Sequence, residues 1–198
     1  LGQAGINPLS SGYCALALAM TKFIQGIPFD ELESECQRGL KFLRNTHQPN
    51  IYNDLRFGVL LPLRELRDTL EDDGEPSAEA FFGGDYRTPS IPLAFHSSAM
   101  IRNCYLLDDR EGWARHAANL GTVAACVPDG PSSVEIRFYV ALGLLRTEFA
   151  GEDPGQAQAN RLAAQEHIAR FRLWSEGCRE NFRHKLLLLE AEDARARG

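Results

Sequence analysis

Apolar residues recur along this chain at three- and four-residue steps, the spacing that places side chains on one face of an α-helix. Tyr13, Leu16, Ala17, Met20, Phe23 and Ile24 form the first such stripe. Gly26 and Pro28 end it, because glycine loses more backbone freedom on ordering and proline lacks the N–H a helix needs. Phe29, Leu32, Cys36, Leu40 and Leu43 form the second stripe, with Asp30, Glu31 and Glu33 at its electropositive N-terminal end. So short a connection predicts an antiparallel hairpin. A third stripe follows Gln48-Pro49 and runs through Tyr52, Leu55, Val59, Leu63, Leu66 and Leu70. It contains Pro62, which predicts a kink or a local break.

The run from Asp72 to Pro76 is the clearest interruption in the chain. The Gly- and Pro-rich stretch that follows predicts one helical turn near Ala78–Phe82 and then loop. Helical patterns resume over about 90–107 and 111–127. Past the Pro128-Asp129-Gly130-Pro131 turn, Ser132-Ser133 are placed to cap a helix with Phe138, Leu142, Leu145 and Phe149 on one face. Two further helices are expected over about 154–176 and 180–196. No stretch alternates with period two for long enough to suggest a sheet. We therefore expect an all-α fold of about eight helices in a single domain spanning 1–198. Stacked antiparallel pairs in a tetratricopeptide-like superhelix fit the spacing, and a globular bundle is the other arrangement. No exact repeat and no strict repeat consensus is visible.

Composition narrows the function classes. The 198 residues are 44% hydrophobic and 24% charged, with a formal net charge of −6. That balance argues against nucleic acid and anionic membranes, both of which reward clustered Lys and Arg. No apolar stretch approaches the roughly 20 residues that span a bilayer. The five cysteines (Cys14, Cys36, Cys104, Cys126, Cys178) form no CxxC pair and suit a reducing cytoplasm as free buried thiols. The chain opens on Leu1-Gly2-Gln3 without a Met or a signal-peptide pattern, so we expect a piece of a longer protein.

The C-terminal string carries a resemblance. Trp174, then Cys178-Arg179-Glu180-Asn181-Phe182, then His184-Lys185 and an apolar and acidic helix, is similar to a segment of certain large signalling proteins. These are multi-domain predicted ATPases with a serine/threonine-kinase-like domain and sensor histidine-kinase modules, and the string resembles the end of their tetratricopeptide-like region. Phe138-Tyr139 with Leu142, Leu144 and Leu145, Tyr105-Leu106-Leu107-Asp108-Asp109 leading to Trp113, and Gln48-Pro49 with Arg64–Leu70 resemble other pieces in the same order. Arg179 stands where that family has Pro, and Asp108 where it has a turn Gly. The resemblance implies a helical scaffold between a nucleotide-switch module and an output kinase in a two-component system, binding protein or relaying conformational change. It implies no active site.

The residues themselves offer little chemistry. There is no phosphate loop, no G-x-S-x-G elbow and no H-E-x-x-H pair, and the five histidines are dispersed. Neither a cofactor site nor a metal site is expected, and a helical metal-dependent hydrolase is disfavoured because the ligand spacing is missing. Glu180 and His184, four apart, share a helix face, but capping or simple pairing is the simpler role. Glu166 and His167 point to different faces. Glu71, Asp72, Asp73 and Glu75 read as a solvated acidic loop. Phe81, Phe82, Trp113 and Trp174 are the candidate interaction surface, with core packing as the alternative for each. Neighbouring residues of a short helix do not easily share one core, which singles out Phe81 and Phe82.

The leading expectation is thus a non-catalytic scaffold whose partners are proteins: flanking domains, a signalling partner, or a second copy in a homodimer. The alternative is a small-molecule sensor with a pocket between helices, in which His96, Asn103 and His116 would line the cavity.

Overall fold

Asn7 opens the first helix. Its side-chain oxygen accepts a hydrogen bond from the Leu9 amide at 3.0 Å, and Pro8 occupies the first turn, where a missing N–H costs nothing. The computed structural model describes residues 7–69, 74–83, 89–123, 130–146 and 154–197. Helix α1 (Pro8–Gln25) ends at Gly26, whose φ of 70° is the left-handed conformation that favours glycine. Helix α2 (Phe29–Asn45) then turns back. Lys22 pairs with Glu35 at 2.8 Å near the turn, and Gly12 meets Leu43 at the far end, so the hairpin is antiparallel as expected.

Helix α3 (Pro49–Leu55) runs through a π-helical turn (Arg56–Leu60) into α4 (Leu61–Leu66). The proline that predicts a break is absorbed by that turn. Pro62 has no N–H to return, and the preceding amide, that of Leu61, reaches back five residues to Arg56. In that wider register the Phe57 carbonyl would need an N–H from Pro62, and none exists. Helix α6 (Ile91–Leu106) supplies the missing donor: Nδ1 of His96 lies 3.1 Å from the Phe57 oxygen. Two turns further along α6, Asn103 donates to the Pro62 carbonyl at 2.7 Å. Gly58 permits this approach, since a β-carbon there would meet Phe95 at 2.8 Å.

The remaining elements are α5 (Ala78–Phe82), α7 (Arg110–Val123), α8 (Pro131–Leu145), α9 (Pro154–Gly177) and α10 (Arg179–Arg197). The fold is all-α, and the described residues contain no strand. Helix α6 is central, touching α3, the π turn, α4, α7 and α8. Among the described residues three hydrophobic cores follow one another: α1 to α4 with Phe95, α6 with α7, and α8 with α9 and α10. Helix α1 also meets α8, so α1, α3, α6 and α8 border a common space.

Several details depart from the sequence pattern. Tyr13 and Phe29, expected on core stripes, are 54% and 41% exposed. Gly130, rather than Ser132, is the capping position of α8, and Ser133 returns its side chain to the Gly130 amide at 3.2 Å. Leu70, Glu71, Asp72, Asp73, Cys126 and Phe149 lie outside the described residues.

Candidate functional site

Helix α1 carries two apolar stripes, one residue out of phase. Gly12, Leu16, Ala19 and Phe23 are buried in the core. Tyr13, Ala17, Met20 and Ile24 follow the same four-three-four spacing and line a cavity of about 380 Å³. Ile91 and Phe95 of α6 form the opposite wall, Asp54 of α3 joins them, and Gly130, Pro131 and Ser132 bring in the start of α8. Leu16 and Phe95 are buried within it, whereas Tyr13, Ala17, Ile91 and Pro131 are exposed and form its rim. A smaller recess continues past Met20, Ile24 and Phe95 towards Arg102.

Asp54 is the chemically distinctive group. It is 4% exposed, one carboxyl oxygen is wholly buried without a hydrogen-bond partner, and burial pushes its pKa up to about 6. Apolar surroundings penalise an ionised carboxylate, and an unpaired one most of all. Among the described residues lining the cavity, Asp54 is the one charged side chain. Arg102 in the recess is engaged with α1: its guanidinium carbon stands 3.7 Å over the Phe23 ring, and Nη1 reaches the Phe23 carbonyl at 3.5 Å.

No family model, curated protein or solved structure matches the chain.

The residues singled out in the sequence fall elsewhere. His96, Asn103 and His116 are buried but do not line this cavity. His96 and Asn103 stitch α6 to the π turn, and His116 Nδ1 lies 3.4 Å from Ser97 Oγ. Burial lowers the pKa of His96 to about 4 and that of His116 to about 3, so both are neutral near pH 7. The carbonyl acceptor requires the Nδ1–H tautomer of His96. Phe81 and Phe82 both stack on Phe57, with centroids 4.4 and 5.0 Å away. Phe82 continues to His96 at 5.5 Å, while Phe81 remains 40% exposed.

Trp113 is 5% exposed and packs in the second core. Its ring lies against Gly143, where a β-carbon would sit 2.1 Å from it. Trp174 is half-buried beside Phe171 and Phe182, at 5.1 and 5.4 Å. Glu180 and His184 are exposed. His167 is half-buried on α9, where burial lowers its pKa, and Glu166 is exposed. Glu75 accepts from Arg44 at 2.6 Å. Among the described residues no three His, Cys, Asp or Glu side chains gather as a metal site. The Cys36 and Cys104 thiols are pushed up to about 12 by burial, which leaves them poor nucleophiles.

The sequence reading missed Asp54, although a signal existed. With Ile51 and Leu55 it forms the buried face of α3, a carboxylate at core spacing within an apolar stripe.

Proposed function

We propose that this chain is a non-catalytic helical module that takes up a small molecule between α1, α3, α6 and α8 and transmits its presence through helix packing. The cavity with its unpartnered Asp54 carboxylate carries this reading. Apolar walls, a few polar groups and a volume of about 380 Å³ are the usual features of a small-ligand site. The four bordering helices span three cores, with α1 and α3 in the first, α6 in the second and α8 in the third, so a ligand touching all of them can shift their relative positions.

A scaffold role within a larger signalling protein, as the resemblance implies, is the second reading. Leu162 and Leu173 on α9 and Leu187 and Leu188 on α10 are 45–61% exposed, a surface suited to another helix pair or a partner protein. The two readings are compatible, since a relay needs both an input and an output.

The chain contains two methionines. Met20 lines the cavity, whereas Met100 is 6% exposed in the second core. Methyl-labelled methionine NMR during a small-molecule screen therefore has an internal control. Saturable shifts of Met20 beyond those of Met100 are expected. A screen covering amines, alcohols and carboxylates that never moves Met20 would refute the ligand reading.

A further inference from the structure

Resting on that reading, we infer that the cavity's ligand is a cationic amine on a compact apolar body, with the Asp54 carboxylate as its counter-ion.

The alternatives fail on the same geometry. A bare divalent cation needs several oxygen or nitrogen ligands, and Asp54 is the single carboxylate among the described lining residues. A carboxylate or phosphate ligand would face a like charge at Asp54, and Arg102, the cation of the adjoining recess, is already engaged with Phe23. A sugar or nucleotide needs many hydrogen-bonding partners, yet Leu16, Met20, Ile24, Ile91 and Phe95 make the walls largely apolar.

An ammonium group meets both requirements. It would pair with the carboxylate of Asp54, the one charged side chain among the described lining residues, and a buried charge becomes tolerable once it is paired and hydrogen-bonded. Tyr13 and Phe95 add aromatic rings to the lining, and aromatic faces attract cations. The ligand's apolar portion would lie along the Tyr13–Ile24 stripe of α1. Within that stripe Met20 also packs against the first core, whose α1 side is filled by the neighbouring stripe of Gly12, Leu16, Ala19 and Phe23.

The test compares 4-phenylbutylamine with 4-phenyl-1-butanol, which has the same skeleton but no charge. Binding to the wild-type chain and to Asp54→Asn is measured by calorimetry at pH 7.5, with the Met20 methyl as site reporter. The amine should bind the wild type at least tenfold more tightly than the alcohol. In Asp54→Asn that advantage should vanish, with the alcohol unchanged. Ala17→Trp at the exposed rim should weaken both probes without touching the carboxylate. Equal affinities in the wild type, or an amine indifferent to Asp54→Asn, would overturn the amine inference while Met20 shifts still upheld the cavity. If neither probe moves Met20, the amine inference falls, and the ligand reading falls with it once the wider screen also leaves Met20 unmoved.

Discussion

His96 Nδ1 lies 3.1 Å from the Phe57 carbonyl oxygen, a contact that satisfies the acceptor stranded by Pro62 in the π turn. Replacing His96 with Leu keeps much of the volume but removes the donor. A buried carbonyl left unpaired costs about 1–3 kcal/mol. Urea unfolding should show a loss of that size for His96→Leu and a smaller one for His96→Gln, which retains an N–H donor. Equal losses would show that packing, rather than the hydrogen bond, is what His96 contributes.

Two helical glycines should respond in opposite directions. A β-carbon at Gly143 would lie 2.1 Å from the Trp113 ring, whereas at Gly121 it would meet nothing within 4 Å. Both alanine variants gain up to about 1 kcal/mol of helix propensity. Gly143→Ala must also displace a buried indole, and overpacking costs about 1–3 kcal/mol. Thermal unfolding should place Gly121→Ala above the wild type and Gly143→Ala at or below it.

Phe81 and Phe82 are neighbours on a five-residue helix, yet they should not be equivalent. Phe82 packs into the second core and bridges Phe57 to His96, while Phe81 is 40% exposed. Truncating a fully buried aromatic costs about 3–5 kcal/mol, and half-buried Phe82 should reach a good part of that. Phe82→Ala should therefore lose well over 1 kcal/mol more than Phe81→Ala in denaturant melts. If Phe81→Ala proves nearly silent for stability but weakens capture of a partner, Phe81 serves the interaction surface read from the sequence.

These contrasts show what the sequence could and could not reveal. Period and punctuation located the helices, because Gly26, Pro28 and Pro49 act locally on the backbone. The outcome at Pro62 was not local: whether a helix breaks or takes a π turn depended on His96 and Asn103, more than thirty residues away. Asp54 was hidden for a similar reason. Its spacing marks it as buried, but only the meeting of α1, α3, α6 and α8 leaves it without a partner beside a cavity. Trp113 was ambiguous because an aromatic on a helix is equally suited to a core or a surface.

Acid should destabilise the fold through its buried imidazoles. His96 and His116 stand 5.4 Å apart, and their pKa values fall from 6.5 to about 4 and about 3. The unfolded chain thus binds protons that the folded chain refuses, and the stability these groups contribute is lost as pH falls from about 6.5 towards 4. Each pKa unit corresponds to about 1.4 kcal/mol. Replacing His116 with Gln should flatten the acid limb of a plot of unfolding free energy against pH, and an unchanged limb would assign acid lability to other groups.

Asp54 acts in the opposite sense. Its folded pKa is raised from 3.8 to about 6 by burial, so between those values the folded chain holds a proton that the unfolded chain has released. Stability therefore falls as pH rises from about 4 through 6 and stays reduced above. A shift of about two units corresponds to a penalty of order 3 kcal/mol at pH 8. Asn removes the charge but leaves a polar amide without a partner, so a net gain of about 1–2 kcal/mol is expected. Unfolding free energies of the wild type and Asp54→Asn should thus diverge at pH 8 and converge near pH 4. Such a stabilised variant that has lost its preference for an amine would mark Asp54 as a residue kept for binding at the expense of stability. A variant less stable than the wild type at pH 8 would instead show that the carboxylate has found a partner in the fold.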